Sequence, residues 1–173
     1  MLFLALALLA AEEPPAPPAP RPMTVEVTRD PINDRVSATA TLYDARNRLD
    51  IACDPGRYDG LRVSFTSIYW LARGNVLTGQ RSVTYRFDDQ RPRRLYWHVE
   101  SRSARIGDSR NRARPFIREM VSAERVVLRT RDVEERPIDL TFRINGARPA
   151  IAQLLDACGE DALKDRLFGG PPS

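Results

Sequence analysis

Residues 36–43 read Val-Ser-Ala-Thr-Ala-Thr-Leu-Tyr, and this stretch decides the fold class. Apolar side chains occupy every second position, at Val36, Ala38, Ala40 and Leu42, with mostly polar ones between them. Successive side chains of a β-strand point to opposite faces of its sheet. The stretch therefore predicts a strand that is buried on one side and exposed on the other.

The same alternation recurs along most of the chain. It is found in residues 24–28, 36–43, 49–53, 61–66, 83–88, 95–100, 126–129 and 138–145. Clusters of Asp, Asn, Gly and Pro separate most of these segments, as expected of turns. The pattern predicts a mainly β protein, an antiparallel β-sandwich of about eight half-buried strands.

Two segments have helical spacing instead. Residues 115–123 begin with a proline suited to the first helical turn and place Phe116, Ile117 and Met120 on one face. Residues 147–158 have an apolar helical face and are followed by Gly159, a residue favoured just beyond a helix. We therefore expect a short helix before the last two strands and a C-terminal helix.

The start of the chain has the composition of an export signal. Residues 1–11 contain an apolar run of about ten residues, the length of a signal-peptide core and about half of a membrane span. We assign 1–11 to a signal peptide cleaved near Ala10 or Ala11, 12–23 to a Pro/Ala-rich linker, 24–160 to the β-sandwich domain and 161–173 to a C-terminal tail. An uncleaved tail is the alternative. A periplasmic or secreted protein is the expectation.

The chain has two cysteines, Cys53 and Cys158, and one histidine. In an exported protein such a pair predicts one disulfide, and two buried free thiols are the alternative. Two cysteines and one histidine are too few for a structural zinc site. We expect neither a metal nor a cofactor.

Charge and motifs exclude several function classes. The chain of 173 residues has 27 basic and 23 acidic residues, and Lys164 is the only lysine. Because acidic residues are interleaved with the arginines, nucleic-acid binding is not expected. The sequence has no nucleophile elbow, phosphate-binding loop, zinc-protease motif or dinucleotide fingerprint. We therefore expect a protein that is not an enzyme.

Two groups of residues are candidates for binding a partner. The segment 102–114 is the most basic of the chain and is expected to be an exposed loop, with or without a partner. Its arginines are Arg102, Arg105, Arg110, Arg112 and Arg114. Guanidinium groups match the geometry of carboxylates and phosphates.

The second candidate group is a polar-aromatic face. Strand alternation places Tyr96 and His98 on the side of their strand opposite Trp97, and Arg86 could join them. Ordinary cross-strand pairing explains the aromatic residues equally well. An envelope hydrolase or enzyme inhibitor that uses His98 and neighbouring carboxylates is the alternative function.

The order of several motifs resembles a known family. An Asp-containing turn in residues 28–34 precedes a strand that ends at Cys53, residues 85–88 read Tyr-Arg-Phe-Asp, and residues 142–147 lead into a helix that closes at Cys158. Over about residues 24–159 the chain is similar to the VasI-type proteins associated with type VI secretion and their exported proteobacterial relatives. The resemblance implies an accessory protein of the cell envelope and no catalytic residues.

Together these observations predict an exported, non-enzymatic accessory or binding protein of the bacterial envelope. Its expected partner is an envelope protein or an anionic envelope component. Contact with a membrane would be peripheral at most.

Overall fold

Nine strands and three helices form the part of the protein that a computed structural model describes, residues 22–56, 60–107 and 112–169. The strands are β1 (Thr24–Arg29), β2 (Val36–Asp44), β3 (Asn47–Cys53), β4 (Leu61–Thr66), β5 (Gln80–Phe87), β6 (Arg93–Glu100), β7 (Ser103–Gly107), β8 (Arg125–Arg131) and β9 (Pro137–Arg143). The helices are α1 (Ala113–Met120), α2 (Ala147–Ala157) and α3 (Asp161–Phe168). The predicted signal peptide, 1–11, and residues 12–21 of the predicted linker lie outside the described residues.

All nine strands belong to one sheet, in the order β1-β2-β3-β4-β7-β6-β5-β8-β9, and each neighbouring pair is antiparallel. The predicted class is confirmed: the protein is mainly β and antiparallel, with a short helix before the last two strands and a C-terminal helix. The strand pairing differs from that of a sandwich, in which the strands form two separate sheets, because here one sheet is continuous from β1 to β9.

Strand β7 makes the sheet continuous, although its residues fall in a segment that the sequence predicts to be a loop. It pairs with β4 on one side and with β6 on the other. The prediction of an exposed loop over 102–114 is thus wrong for Ser103–Gly107 and for the start of α1 at Ala113. Ala104 and Ile106 are buried and alternate with Arg105. A strand of five residues is too short for this alternation to be recognised in an arginine-rich segment.

The core lies on one face of the sheet, which we call the inner face. Helix α1 inserts Phe116 among the rings of Tyr85, Phe87 and Trp97, with ring centroids 5.2, 5.0 and 5.7 Å away. Tilted and edge-on contacts at these distances are favourable for aromatic rings. Phe116 thereby joins two neighbouring strands, β5 and β6, to the helix.

The sheet curls so that its far strands approach each other. The backbone N–H of Arg143, at the end of β9, donates to Asp44 Oδ2 at the end of β2 over 3.0 Å. The buried apolar side chains of both halves accordingly form one cluster. One hydrophobic core therefore stabilises the whole described domain.

A disulfide fixes helix α2 to the sheet, as predicted. Cys53 at the end of β3 is bonded to Cys158 just after α2, with 6.4 Å between their Cα atoms. The helix buries Ile151, Leu154 and Leu155 and packs on β1, β2 and β3. The covalent bond and the apolar face therefore hold the same helix in one place.

Residues 161–168, which the sequence analysis assigns to a tail, form helix α3. Leu163 is buried in the core, and α3 packs against α2. Just before α3, Glu160 accepts two hydrogen bonds from Arg114 of α1, at 3.0 and 3.1 Å. The folded domain therefore extends beyond residue 160. None of the described helices is long and apolar enough to span a bilayer.

Candidate functional site

The face of the sheet opposite α1 and α2, which we call the outer face, carries hydroxyl, amide and arginine side chains. The register places Ser64 of β4 opposite Arg105 of β7, Arg105 opposite His98 of β6, and His98 opposite Gln80 of β5. Because side chains alternate, all four point away from the buried rings. A polar row therefore crosses the centre of the sheet.

A shallow groove of about 270 Å³, which we call the His98 groove, lies on this row. Its charged and titratable lining side chains are Arg48, Arg62, His98, Glu100 and Arg105. Arg105 lies 3.9 Å from Glu100, and Arg48 is bound more closely to Asp50, at 2.8 Å. Arginine is thus the main charged group of the groove.

The position of His98 depends on Gly79. That glycine has a φ of +63°, and a Cβ atom on it would lie 2.6 Å from His98 Cε1. A side chain at residue 79 would therefore be strained and would also displace the imidazole. The close approach keeps the ring against the backbone at the start of β5.

A second groove, of about 530 Å³, lies across β5, β6 and β8, and we call it the Tyr96 groove. Its lining includes Ser82, Thr84, Arg94, Tyr96, Arg129 and Arg131. Arg129 is held by two hydrogen bonds of 2.6 Å to Asp139 on β9. The hydrogen bond and the charge of Arg129 lower the pKa of Asp139 although partial burial opposes this, and the same contact raises the pKa of Arg129.

Four arginines of the outer face have no carboxylate partner within the described residues. They are Arg62 in the His98 groove, Arg94 and Arg131 in the Tyr96 groove, and Arg86 near the end of β5. A guanidinium group offers five donors in a planar fork. The outer face can therefore donate several hydrogen bonds to carboxylate, phosphate or sulfate groups.

The structure brings together some of the predicted site residues. Tyr96, His98 and Arg105 lie on neighbouring strands of the outer face, and the exposed Arg86 is on the same face further along β5. The register at the centre places Arg105 opposite His98. Tyr96, His98 and Arg105, which come from the two predicted groups, therefore lie on one surface.

The remaining predicted arginines are placed elsewhere. Arg102 lies in the β6–β7 turn with its guanidinium 5.6 Å from the ring centre of Trp70, and Arg112 donates to the carbonyl of Tyr96 over 3.0 Å. Arg114 is bound to Glu160. Arg110 lies outside the described residues. The described arginines of the segment 102–114 therefore do not lie together on one surface.

Sequence reasoning missed Arg62 and Arg94 as site residues. The signal is present in their strands, since Arg62 alternates with Leu61 and Val63, both buried. The pairing of β4 with β7 is what places Arg62 beside Arg105, and that pairing depends on a strand that the sequence did not reveal.

His98 and the acidic side chains near it are not arranged for catalysis. Among the hydrogen bonds of the described part of the chain, none joins His98 to a carboxylate or a hydroxyl, and Glu100 follows it two positions along the same strand. No group of three His, Cys, Asp or Glu side chains in that part is placed to hold a metal ion. The observed geometry is that of a surface with hydrogen-bond donors.

Comparison with known proteins gives a fold relationship. The structure is similar to the crystal structure of invasion associated protein B from Bartonella henselae, with a TM-score of 0.53 and 12% sequence identity over 80% of this chain and 95% of that chain. At this identity the likeness shows a shared fold. No protein-family model and no curated protein matches the chain. The resemblance to VasI-type proteins therefore remains a hypothesis.

Proposed function

We propose that this protein is an exported, non-enzymatic binding protein of the bacterial cell envelope, which holds an anionic partner on the outer face of its sheet. The observation that carries the proposal is the set of arginines without carboxylate partners on a sheet face opposite the helices. Arg62 lines the His98 groove beside Arg105, which lies 3.9 Å from Glu100, and Arg94 lines the Tyr96 groove.

The grooves favour a partner with repeated negative charges. Both are shallow and polar, with hydroxyl groups such as Ser64, Ser103 and Thr84 between the arginines. Small-molecule sites are usually concave and mostly apolar, whereas a polar surface of this kind suits an extended partner. An acidic protein segment or an anionic glycan of the envelope has the required chemistry.

The placement in the envelope rests on three supports. The disulfide is typical of proteins from oxidising compartments. The apolar segment at the start of the sequence predicts export. The name of the structural neighbour associates this fold with invasion, which agrees with a role at the cell surface. The resemblance to VasI-type proteins adds a secretion system as the setting to examine first.

The test is a charge reversal within the His98 groove. Binding of the full chain to polyphosphate, used as a soluble polyanion, is measured by calorimetry at neutral pH. We expect Arg62→Glu with Arg105→Glu to weaken binding by about tenfold or more, because two charge-assisted contacts become repulsive.

A matched control distinguishes the effect of the groove on binding from the effect of the net charge. Arg29→Glu with Arg118→Glu changes the charge equally at exposed positions on β1 and α1. The control should bind more tightly than the groove variant. Equal loss in both variants, or no loss in either, would refute a binding site at the groove. Binding to DNA that is as tight as binding to polyphosphate would argue against an envelope partner.

A further inference from the structure

Most of the exposed large apolar side chains in the described residues lie at one end of the sheet. This end, which we call the apolar end, consists of residues 67–79 between β4 and β5 and residues 132–136 between β8 and β9. Its exposed apolar side chains are Ile68, Tyr69, Trp70, Val76, Leu77 and Val133. Scattered apolar side chains are common on protein surfaces, but such a concentration indicates an interaction site.

The tip of the apolar end is a well-formed turn. The side chains of Val76 and Leu77 are 100% and 92% exposed. Asn75 holds them there: its Oδ1 accepts from the N–H of Leu77 at 2.9 Å, and its own N–H donates to the carbonyl of Gln80 at 2.8 Å. Two aliphatic side chains therefore project from a fixed backbone.

Aromatic and basic groups lie behind this tip. Trp70 is 58% exposed, and the guanidinium of Arg102 is 5.6 Å from the centre of its ring. Residues 67–79 contain Arg73 and no acidic residue. Arg73 and Arg102 form no ion pair with any described residue. The apolar tip is thus accompanied by free positive charge.

The carboxylates of residues 132–136 are all paired within the protein, and two of them share one arginine. The ion pairs are Asp132–Arg136, Glu134–Arg136 and Glu135–Arg81. These three carboxylates share two arginines, and Arg73 and Arg102 bring the total to four arginines against three carboxylates. The field is therefore positive where Arg73 and Arg102 reach the surface.

We propose that the apolar end contacts the surface of an anionic lipid bilayer. Val76 and Leu77 enter the boundary between headgroups and acyl chains, Trp70 and Tyr69 lie at headgroup level, and Arg73 and Arg102 pair with lipid phosphates. Exposed aliphatic residues at a projecting tip, with aromatic and cationic residues behind them, match the layered chemistry of a membrane interface. This surface is separate from the grooves of the outer face.

The two tryptophans provide a local readout. Trp97 is fully buried, whereas Trp70 belongs to the apolar end. We expect binding to phosphatidylglycerol vesicles to shift the tryptophan emission of the full chain to shorter wavelength. The protein should also sediment together with the vesicles. Trp70→Phe should abolish the shift and retain sedimentation.

Removal of the tip is the decisive variant. Val76→Asp with Leu77→Asp should lower the partition coefficient by about tenfold or more, because two apolar side chains are lost and two charges of the same sign as the lipid are added. Ile32→Asp is the control, since Ile32 is 93% exposed in the β1–β2 turn at the opposite end of the sheet. The apolar segment 2–11 is the same in all these chains.

Three results would overturn the proposal. The first is sedimentation with phosphatidylcholine vesicles equal to that with phosphatidylglycerol. The second is unchanged partition of the tip variant while its thermal unfolding matches that of the wild type. The third is a dimer in sedimentation velocity that the tip variant abolishes, without any binding to vesicles, which would assign the apolar end to a second copy of the chain.

Discussion

At the scale of single residues, Asp132 shows how a buried carboxylate shapes a turn. It is 4% exposed and accepts hydrogen bonds from the N–H groups of Glu134 and Arg136 and from Arg136 Nε, each at 2.9 Å. Desolvation works to raise the pKa of Asp132, but the hydrogen bonds from Arg136 and Glu134 outweigh it and hold the pKa below its usual value. The folded state therefore favours the ionised form.

We predict that Asp132→Asn lowers the melting temperature at neutral pH and that this difference shrinks in acid. A depressed folded-state pKa stabilises the fold above the unfolded-state value of about 3.9, and this contribution is lost as the pH falls through the folded-state pKa. Thermal unfolding between about pH 7 and pH 2.5 measures it. Asp89→Asn, at a 95% exposed side chain, is the control. An equal deficit at both pH values would contradict the role of the charge.

At the scale of elements, the disulfide and the apolar face of α2 hold the last part of the chain on the sheet. The bond closes a loop with a sequence separation of 105. We predict that Cys53→Ala with Cys158→Ala lowers the free energy of unfolding by about 2–5 kcal/mol, mainly because the unfolded chain gains freedom. Denaturant titration of both proteins provides the measurement.

Reduction of the wild type serves as the control for this element. Dithiothreitol should shift the unfolding midpoint of the wild type towards that of the variant and leave the variant unchanged. If the oxidised wild type and the variant unfold at the same midpoint, α2 is held by its apolar contacts alone.

At the scale of the whole molecule, one core underlies a single curled sheet. Phe116 is 1% exposed and contacts the rings of Tyr85, Phe87 and Trp97. We predict that Phe116→Ala lowers the free energy of unfolding by about 3–5 kcal/mol, because a large buried ring leaves a cavity. Since both halves of the sheet share the core, Trp97 emission and far-ultraviolet circular dichroism should report the same transition.

The control for the core is an exposed apolar residue. Ile32→Ala should change the stability by less than about 0.5 kcal/mol. Separate midpoints for tryptophan emission and circular dichroism would show that the two halves of the sheet unfold independently, against the single core seen here.

The site was predictable where strand alternation is long and regular. Tyr96 and His98 lie on the outer face as their alternation with Trp97 predicts. The placement of the arginines in segment 102–114 was not predictable, because residues that are close along the chain can point their side chains in different directions. Arg105 points to the outer face, Arg102 stacks on Trp70, and Arg114 binds Glu160.

The sequence by itself determined the strand class, the helices α1 and α2, and the disulfide. The spacing of apolar residues and the turn residues are local signals, and a single pair of cysteines allows only one pairing. Only the tertiary structure decided that one sheet replaces two, because β7 is too short to be recognised until β4 and β6 supply its hydrogen-bond partners. The same pairing places Arg62 in the groove with Arg105 and His98. Long-range strand order is set by the packing of the whole core, and no local pattern encodes it.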